Sequence, residues 1–328
     1  MANMQYQAKD FSSEAEIRWC PGCGDYIILK QLQMALAKSG SIPHQTAVIS
    51  GIGCSSRLPY YMNTYGFHTI HGRALPIATG LKKTNPELEV WVATGDGDSL
   101  SIGTNHFVHC LRRDIDINII LFNNKIYGLT KGQYSPTSDL GQYSKSTPQG
   151  SEDAPLNVME LALASGAKFI ARSADRFASH LQEVFIRSKN HNGTSFIEVL
   201  QNCPIFNDGI FDIYTQKDRS KNNIIFLEEG KPIVFGPNND LTMVIDNLKP
   251  KIAKLSEVSE NDLWIHDKEN KQKALILSQL GFEEFSNFPL PFGIIFENNQ
   301  KKSKTTKKIQ LNDIQLVNII KNQSFEIN

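Results

Sequence analysis

Apolar positions along the first two thirds of the chain recur with two alternating periods, one helical and one of strand type. Residues 26–39 place Ile28, Leu32, Ala35 and Leu36 on one face of a helix that Asp25 can cap, and residues 46–50 read as a short strand. A helix over 74–83, whose start Pro76 limits, is followed by a strand over 88–94, a helix over 102–111 and a strand over 117–122 apolar enough for burial on both faces. A polar stretch rich in Ser, Pro, Gly and Gln occupies 135–153. The alternation then resumes with helices over 158–165 and 177–188 and strands over 168–171 and 195–200. This order predicts an α/β fold on a doubly wound, mostly parallel sheet, and no repeat of fixed period competes with it.

Beyond about residue 207 the pattern weakens. Residues 211–328 are richer in Lys, Asn and Glu and include a lysine-dense stretch at 301–308, expected to be a solvated surface or else a docking patch for an acidic partner. The expected organisation is a cofactor-binding domain over 1–207 and a C-terminal extension over 208–328 that packs on the core or on a partner subunit.

At 328 residues, 40% apolar and 21% charged, the chain is ordinary globular material, long enough for one large α/β domain and a smaller addition. Its 34 basic residues balance 34 acidic ones, which argues against nucleic acid or an anionic membrane as a partner. No window approaches 18 uninterrupted apolar residues and the first ten residues lack a signal-peptide layout, so a cytoplasmic protein is expected. Five cysteines, an odd number, point to metal or redox chemistry rather than structural disulfides.

Gly95-Asp96-Gly97-Asp98 directly follows the predicted strand 88–94, and Asn124 comes 28 positions after Asp96, just past the next strand. Two glycines around an acidic residue are by themselves a common turn. With a strand before and a helix after, the backbone N–H groups of residues 99–102 would face a crevice where an anion can sit. No third glycine completes a dinucleotide fingerprint, and a carboxylate beside a bare pyrophosphate would repel it. A cation between them removes the repulsion: Asp96, the Asn124 amide oxygen and a backbone carbonyl such as that of Ile126 are hard ligands, with diphosphate and water completing an octahedron. The spacing points to thiamine diphosphate with Mg²⁺, a structural turn or another phosphate ligand being the alternative.

Cys20-Pro21-Gly22-Cys23 precedes the first helix, Cys54 follows the strand 46–50, and Cys203 precedes Pro204 just past the strand 195–200. Loops so placed in a doubly wound sheet can converge, and four thiolates suit a [4Fe-4S] cluster or a structural zinc. Zinc sites usually draw on two close pairs, whereas two of these ligands arrive singly from far away. Cys110, inside an apolar helix, reads as a small buried hydrophobe. His106 and His109 lack matched acidic or cysteine partners and read as helix packing or capping.

Taken together, Cys20-Pro21-Gly22-Cys23, the run from Gly51 to Arg57, His71-Gly72-Arg73-Ala74, Gly95-Asp96-Gly97-Asp98, Asn123-Asn124 with the run from Ile126 to Gln133, and Asn202-Cys203-Pro204 resemble the β subunits of 2-oxoacid:ferredoxin oxidoreductases. The likeness spans roughly residues 10–235 and is greatest to those acting on 2-oxoglutarate. It implies a thiamine diphosphate-binding fold, a [4Fe-4S] cluster on Cys20, Cys23, Cys54 and Cys203, and Mg²⁺ on Asp96, Asn124 and the Ile126 carbonyl. The coenzyme would lie among Ile52, Gly53, Cys54, Ser55, His71, Gly97, Asp98, Gly128 and Leu129.

The implied reaction is oxidative decarboxylation of a 2-oxoacid to CO₂ and an acyl-CoA, with coenzyme A as co-substrate and ferredoxin taking the electrons. For 2-oxoglutarate the product is succinyl-CoA; pyruvate or a broader range of 2-oxoacids is the alternative. Thiamine enzymes use a glutamate to activate the coenzyme, and none here stands in a recognisable setting. The resemblance assigns it to an α subunit, so that the chain is inactive outside a heterodimer or heterotetramer. Arg57 and Lys131 could meet a distal carboxylate and His71 could assist proton transfer or bind substrate, although each could equally be a structural or solvated base. A non-oxidative thiamine decarboxylase or carboligase with structural zinc, and a non-catalytic relative that kept the fold, are the competing expectations.

Overall fold

The computed structural model describes residues 6–247, 249–299 and 321; the lysine-dense stretch 301–308 lies outside them. Helix α1 (Asp25–Lys38) precedes β1 (Thr46–Ser50), β2 (Tyr65–His68), α2 (Ala74–Thr84), β3 (Glu89–Gly95) and the single-turn α3 (Asp96–Leu100). Then come α4 (Thr104–Arg113), β4 (Asn118–Asn123), α5 (Val158–Ala164), β5 (Phe169–Ala174), α6 (Ala178–Asn190) and β6 (Ser195–Leu200). The expected alternation is present, and Pro76 falls in the first turn of α2, where a missing N–H is tolerated.

The strands form an eight-stranded sheet in the order β2-β1-β3-β4-β6-β5-β11-β7, with β7 (Ile224–Phe226) and β11 (Leu290–Glu297) drawn from the C-terminal region. All pairs are parallel except β11 with β5. Side chains alternate between two cores, as the period of a strand requires. Val48, Trp91, Ala93, Ile120 and Phe122 share a core with Ile28, Leu32 and Leu36 of α1 and Leu181 and Phe185 of α6. On the opposite face Ile49, Val90, Val92, Ile119 and Leu121 share one with Ala78 of α2, Phe107 of α4, Val158 of α5 and Leu277 of a later helix. A sheet buried on both faces hides its strands from any alternating pattern, which is why they read as continuous apolar runs.

Past residue 207 the chain adds the short helices α7 (Asp212–Thr215) and α8 (Lys217–Ser220), then β8 (Val234–Phe235), β9 (Leu241–Asp246) and β10 (Lys249–Lys254), which make a separate antiparallel sheet, and α9 (Lys271–Gln279). The main sheet therefore crosses the expected boundary at 207/208, because β11 pairs with β5 from Gly293↔Arg172 to Glu297↔Phe169. Among the described residues no helix is long and apolar enough to cross a membrane.

Register brings the functional loops to one edge. Ser50 lies beside Ala93, Gly95 beside Phe122, and Asn123 beside Leu200. The chain thus leaves β1, β3, β4 and β6 at their carboxyl ends in neighbouring positions, the place where open parallel sheets bind ligands.

Candidate coenzyme and metal site

The four loops enclose a cavity of about 300 Å³ whose wall includes Ile52, Gly53, Cys54, Ser55, His71, Gly97, Asp98, Gly128 and Leu129, with Asp96, Asn124 and Ile126 among them. The Gly-Asp-Gly-Asp run does not end in a turn. It forms α3, which starts at Asp96 itself, and α4 starts only at Thr104, so residues 99–102 are not the helix entrance that the apolar pattern suggested. One glycine inside it and one beside it leave no room for a side chain: a Cβ on Gly97 would come within 2.3 Å of the Tyr127 ring, and one on Gly51 within 1.9 Å of the Asp98 carboxylate.

Asp96 is 2% exposed and accepts hydrogen bonds from Ser135 Oγ at 2.5 Å and Thr137 Oγ1 at 2.7 Å. Burial pushes its pKa up to about 6 although these hydroxyls pull it down. A buried carboxylate so oriented gains most from a cation at its open side. Asn124 is held from both ends, its Oδ1 accepting from the Ile126 N–H at 3.2 Å and its Nδ2 donating to Gln201 Oε1 at 2.8 Å. Ser55 Oγ, in the same wall, is buried and makes no hydrogen bond, as a donor reserved for an anionic ligand would be. This donor set, with a carboxylate, an amide and an unpaired hydroxyl facing one space, fits a hard cation carrying a diphosphate.

Asp98 plays a different part. It accepts from Thr94 Oγ1 of β3, from the Ile52 and Gly72 N–H groups, and from His71 Nδ1 at 2.9 Å, so one buried carboxylate ties two loops to the sheet. His71 is thereby fixed at the cavity mouth, where it is 37% exposed.

On the other side of the cavity the expected cysteines gather. A Cβ on Gly128 would lie 3.6 Å from Cys54 Sγ and 3.7 Å from Cys203 Sγ, so both sulfurs border one point. The Cys23 N–H donates to the Cys20 carbonyl at 3.1 Å, closing a tight Cys20–Cys23 turn. Burial raises the Cys23 thiol well above its usual range and Cys54 to about 12; Asp25 and the neighbouring cysteines push the same way. Thiols crowded in this way stay protonated until a metal centre takes them as thiolates. Among the described residues no three His, Cys, Asp or Glu side chains are spaced to hold a single metal ion, the His106 and His109 pair included. A cluster, in which each thiolate meets its own iron, calls for ligands further apart than one ion does.

Asp25 departs from its expected part as a helix cap. It is the first residue of α1, behind Gly24, and its side chain caps nothing. Gly24 is pressed against Asp175, whose carboxylate a Cβ there would meet at 1.9 Å. Both Asp25 oxygens are buried without a hydrogen bond. Burial raises its pKa to about 7, with the Asp175 charge adding to the rise and the Cys23 thiol opposing it.

The two candidate bases part company. Arg57 lines a groove of about 450 Å³ that shares Ile52, Gly53 and Leu129 with the coenzyme cavity, whereas Lys131 is exposed, left-handed at φ 76°, and in neither wall. Cys110 is buried in α4, as its setting suggested. A larger space of about 620 Å³ lies beyond Asn123, over the buried Arg172–Glu198 pair, away from these groups. Sequence patterns gave no sign of Ser135, Thr137 or Gln201. The hydroxyls sit in the polar stretch 135–153, which folds back over the site, and a glutamine just past a strand carries no periodic signal.

Residues 51–199 match the family model described as thiamine pyrophosphate enzyme, C-terminal TPP binding domain. The chain is similar to the 2-oxoglutarate oxidoreductase subunit KorB of Mycobacterium tuberculosis, 51% identical over 261 residues, covering 80% of this chain and 70% of that protein. It is 45% identical over 233 residues to the β subunit of 2-oxoacid:ferredoxin oxidoreductase 1 of Aeropyrum pernix, covering 70% and 72% of the two chains. Among solved structures it resembles the 2-oxoglutarate:ferredoxin oxidoreductase of Magnetococcus marinus, solved with 2-oxoglutarate, coenzyme A and succinyl-CoA bound. That match has a TM-score of 0.73 at 29% identity and covers 97% of this chain and 91% of that one. Fold and relatives agree, and the chain belongs to the family of 2-oxoacid:ferredoxin oxidoreductase β subunits.

Proposed function

We propose that the chain is the β subunit of a cytoplasmic 2-oxoglutarate:ferredoxin oxidoreductase, converting 2-oxoglutarate and coenzyme A to succinyl-CoA and CO₂. Asp96, Asn124 and the Ile126 carbonyl hold Mg²⁺ and through it thiamine diphosphate, and Cys20, Cys23, Cys54 and Cys203 hold a [4Fe-4S] cluster. The observation that carries this is Cys54, which stands in the coenzyme cavity wall while its sulfur borders the same point as that of Cys203. The coenzyme would act as electron sink and the cluster as one-electron acceptor. The chain's own residues do the rest. Asp98 fixes the loops of Ile52 and His71, the latter placed to hydrogen-bond substrate, and Tyr127 packs over Gly97 to close the cavity floor.

Arg57, in the adjoining groove, is the guanidinium placed to meet a distal carboxylate, and relatives named for 2-oxoglutarate favour that acid. No glutamate lines the coenzyme cavity among the described residues, so the activating carboxylate comes from an α subunit. Tyr60 of the groove, Tyr65 and Phe67 of the edge strand β2, and Ile70 just after it are more than half exposed and form the apolar edge such a partner would cover. Residues 1–207 carry every proposed ligand, and the extension beyond them packs on the core through β11.

Anaerobic co-expression with the α subunit tests this. The complex is expected to be brown and to reduce ferredoxin or viologen with 2-oxoglutarate and coenzyme A, faster than with pyruvate. A colourless zinc protein that releases CO₂ without reducing an acceptor would overturn it in favour of a non-oxidative decarboxylase.

A further inference from the structure

Gln201 stands between the two halves of the site. It follows β6 directly, is 1% exposed, and its backbone N–H donates to the Asn123 carbonyl at 2.8 Å, so its place at the sheet edge is fixed. Its side chain reaches both ways: Nε2 lies 3.3 Å from Cys23 Sγ, and Oε1 accepts from Asn124 Nδ2 at 2.8 Å. Nε2 carries two hydrogens, and the second goes to the Asn202 carbonyl, which leaves no freedom to flip the amide without breaking all three contacts.

We propose that Gln201 is a positioning residue that couples the cluster half to the coenzyme half, setting the reduction potential of a cluster on Cys23 and the aim of the Asn124 oxygen at the cation. The proposal rests on the function proposed above. Its physical content is simple. An N–H aimed at a ligand sulfur stabilises the more negative, reduced state of a cluster and so raises its potential. The same amide, accepting from Nδ2, fixes the Asn124 side chain with its Oδ1 on the Ile126 N–H at 3.2 Å, and the second lone pair of that oxygen is the one a cation would take. One residue thus links how readily the cluster accepts an electron to how firmly the electron donor is held.

Two variants separate the halves. Gln201→Glu keeps an acceptor for Asn124 and replaces the donor on Cys23 with an anionic oxygen; Gln201→Leu removes both contacts. In the complex with its α subunit, anaerobic redox titration followed by electron paramagnetic resonance should show a lower cluster potential in both. At fixed ambient potential the reduced-to-oxidised ratio falls about threefold to tenfold in Gln201→Leu, the ordinary net worth of one hydrogen bond, and further in Gln201→Glu. Calorimetry with Mg²⁺ and thiamine diphosphate should show weaker binding in Gln201→Leu and near-native binding in Gln201→Glu. A brown complex whose potential is unchanged in both variants would overturn the proposal and leave the proposed function standing. A wild-type complex without iron would overturn both. Should Gln201→Leu fail to fold, Gln201→Glu alone decides, since the potential must fall while coenzyme binding holds.

Discussion

Asp96 and Asp25 are both buried in the wall of one cavity, yet Asp96 accepts hydrogen bonds from Ser135 and Thr137 while neither oxygen of Asp25 accepts any. Burial raises both, Asp96 to about 6 and Asp25 to about 7. The hydroxyls on Asp96 partly offset its burial and hold one oxygen, leaving the carboxylate pinned as an anion that a cation would complete. Asp25 faces the Cys23 thiol and the Asp175 charge, and the small gain a negative charge takes from the thiol does not offset its burial. Preparation for a ligand, rather than burial or residue type, distinguishes the two carboxylates. Three variants test the difference, and two more test the neighbouring bases.

The largest effect is expected from Asp96→Ala, which should weaken Mg²⁺-dependent thiamine diphosphate binding at least about hundredfold by calorimetry, as loss of an inner ligand exceeds the usual outer-shell effect. The visible spectrum of the cluster should persist; loss of both together would show that the halves are not separable.

Asp25→Asn should act on stability in the metal-free protein. An acid whose folded pKa lies above its unfolded value favours the native state when protonated, so wild type loses stability as pH rises from 3.8 through about 7. The variant escapes that loss. Urea unfolding should show no difference near pH 4 and an advantage of about 2–4 kcal/mol to the variant at pH 8. A difference that does not vary with pH would mean that Asp25 is partnered after all.

Replacing Ser135 with Ala and Thr137 with Val together leaves Asp96 in place without its donors. Coenzyme binding should weaken about tenfold to hundredfold, and an unchanged affinity would show that burial alone positions the carboxylate. The smallest effect is expected at Lys131→Ala, under about twofold in KM for 2-oxoglutarate, against roughly tenfold for Arg57→Ala, the usual worth of a charge-assisted hydrogen bond. The reverse order would return the distal carboxylate to Lys131.

The same contrast explains how much could be read before the fold was known. Asp96, Asn124 and the four cysteines could be singled out because a cation, a diphosphate and a cluster would each demand particular atoms at strand ends, and strand ends are visible in apolar runs. Ser135 and Thr137 were not, since nothing in a stretch without apolar period shows where it folds back. Asp25 read as a cap because capping is the common use of an aspartate before a helix; the fold takes it as the first helical residue behind Gly24 and buries it, and burial is a tertiary property. Strand β2 escaped notice because it buries neither face, and β11 because Pro291 and Gly293 interrupt its apolar run. The boundary expected at 207/208 reflected that weakening of pattern, while the pairing of β11 with β5 depends on partners more than a hundred residues apart.

The claim that one cavity serves both coenzyme and cluster is tested most directly by the visible absorption of the oxidised complex when 2-oxoglutarate is added anaerobically without coenzyme A. The cluster should bleach when Mg²⁺ and thiamine diphosphate are bound, and should stay oxidised when they are stripped or when Asp96 is replaced by Ala. Release of CO₂ with no bleaching, in a complex that dithionite can bleach, would contradict it.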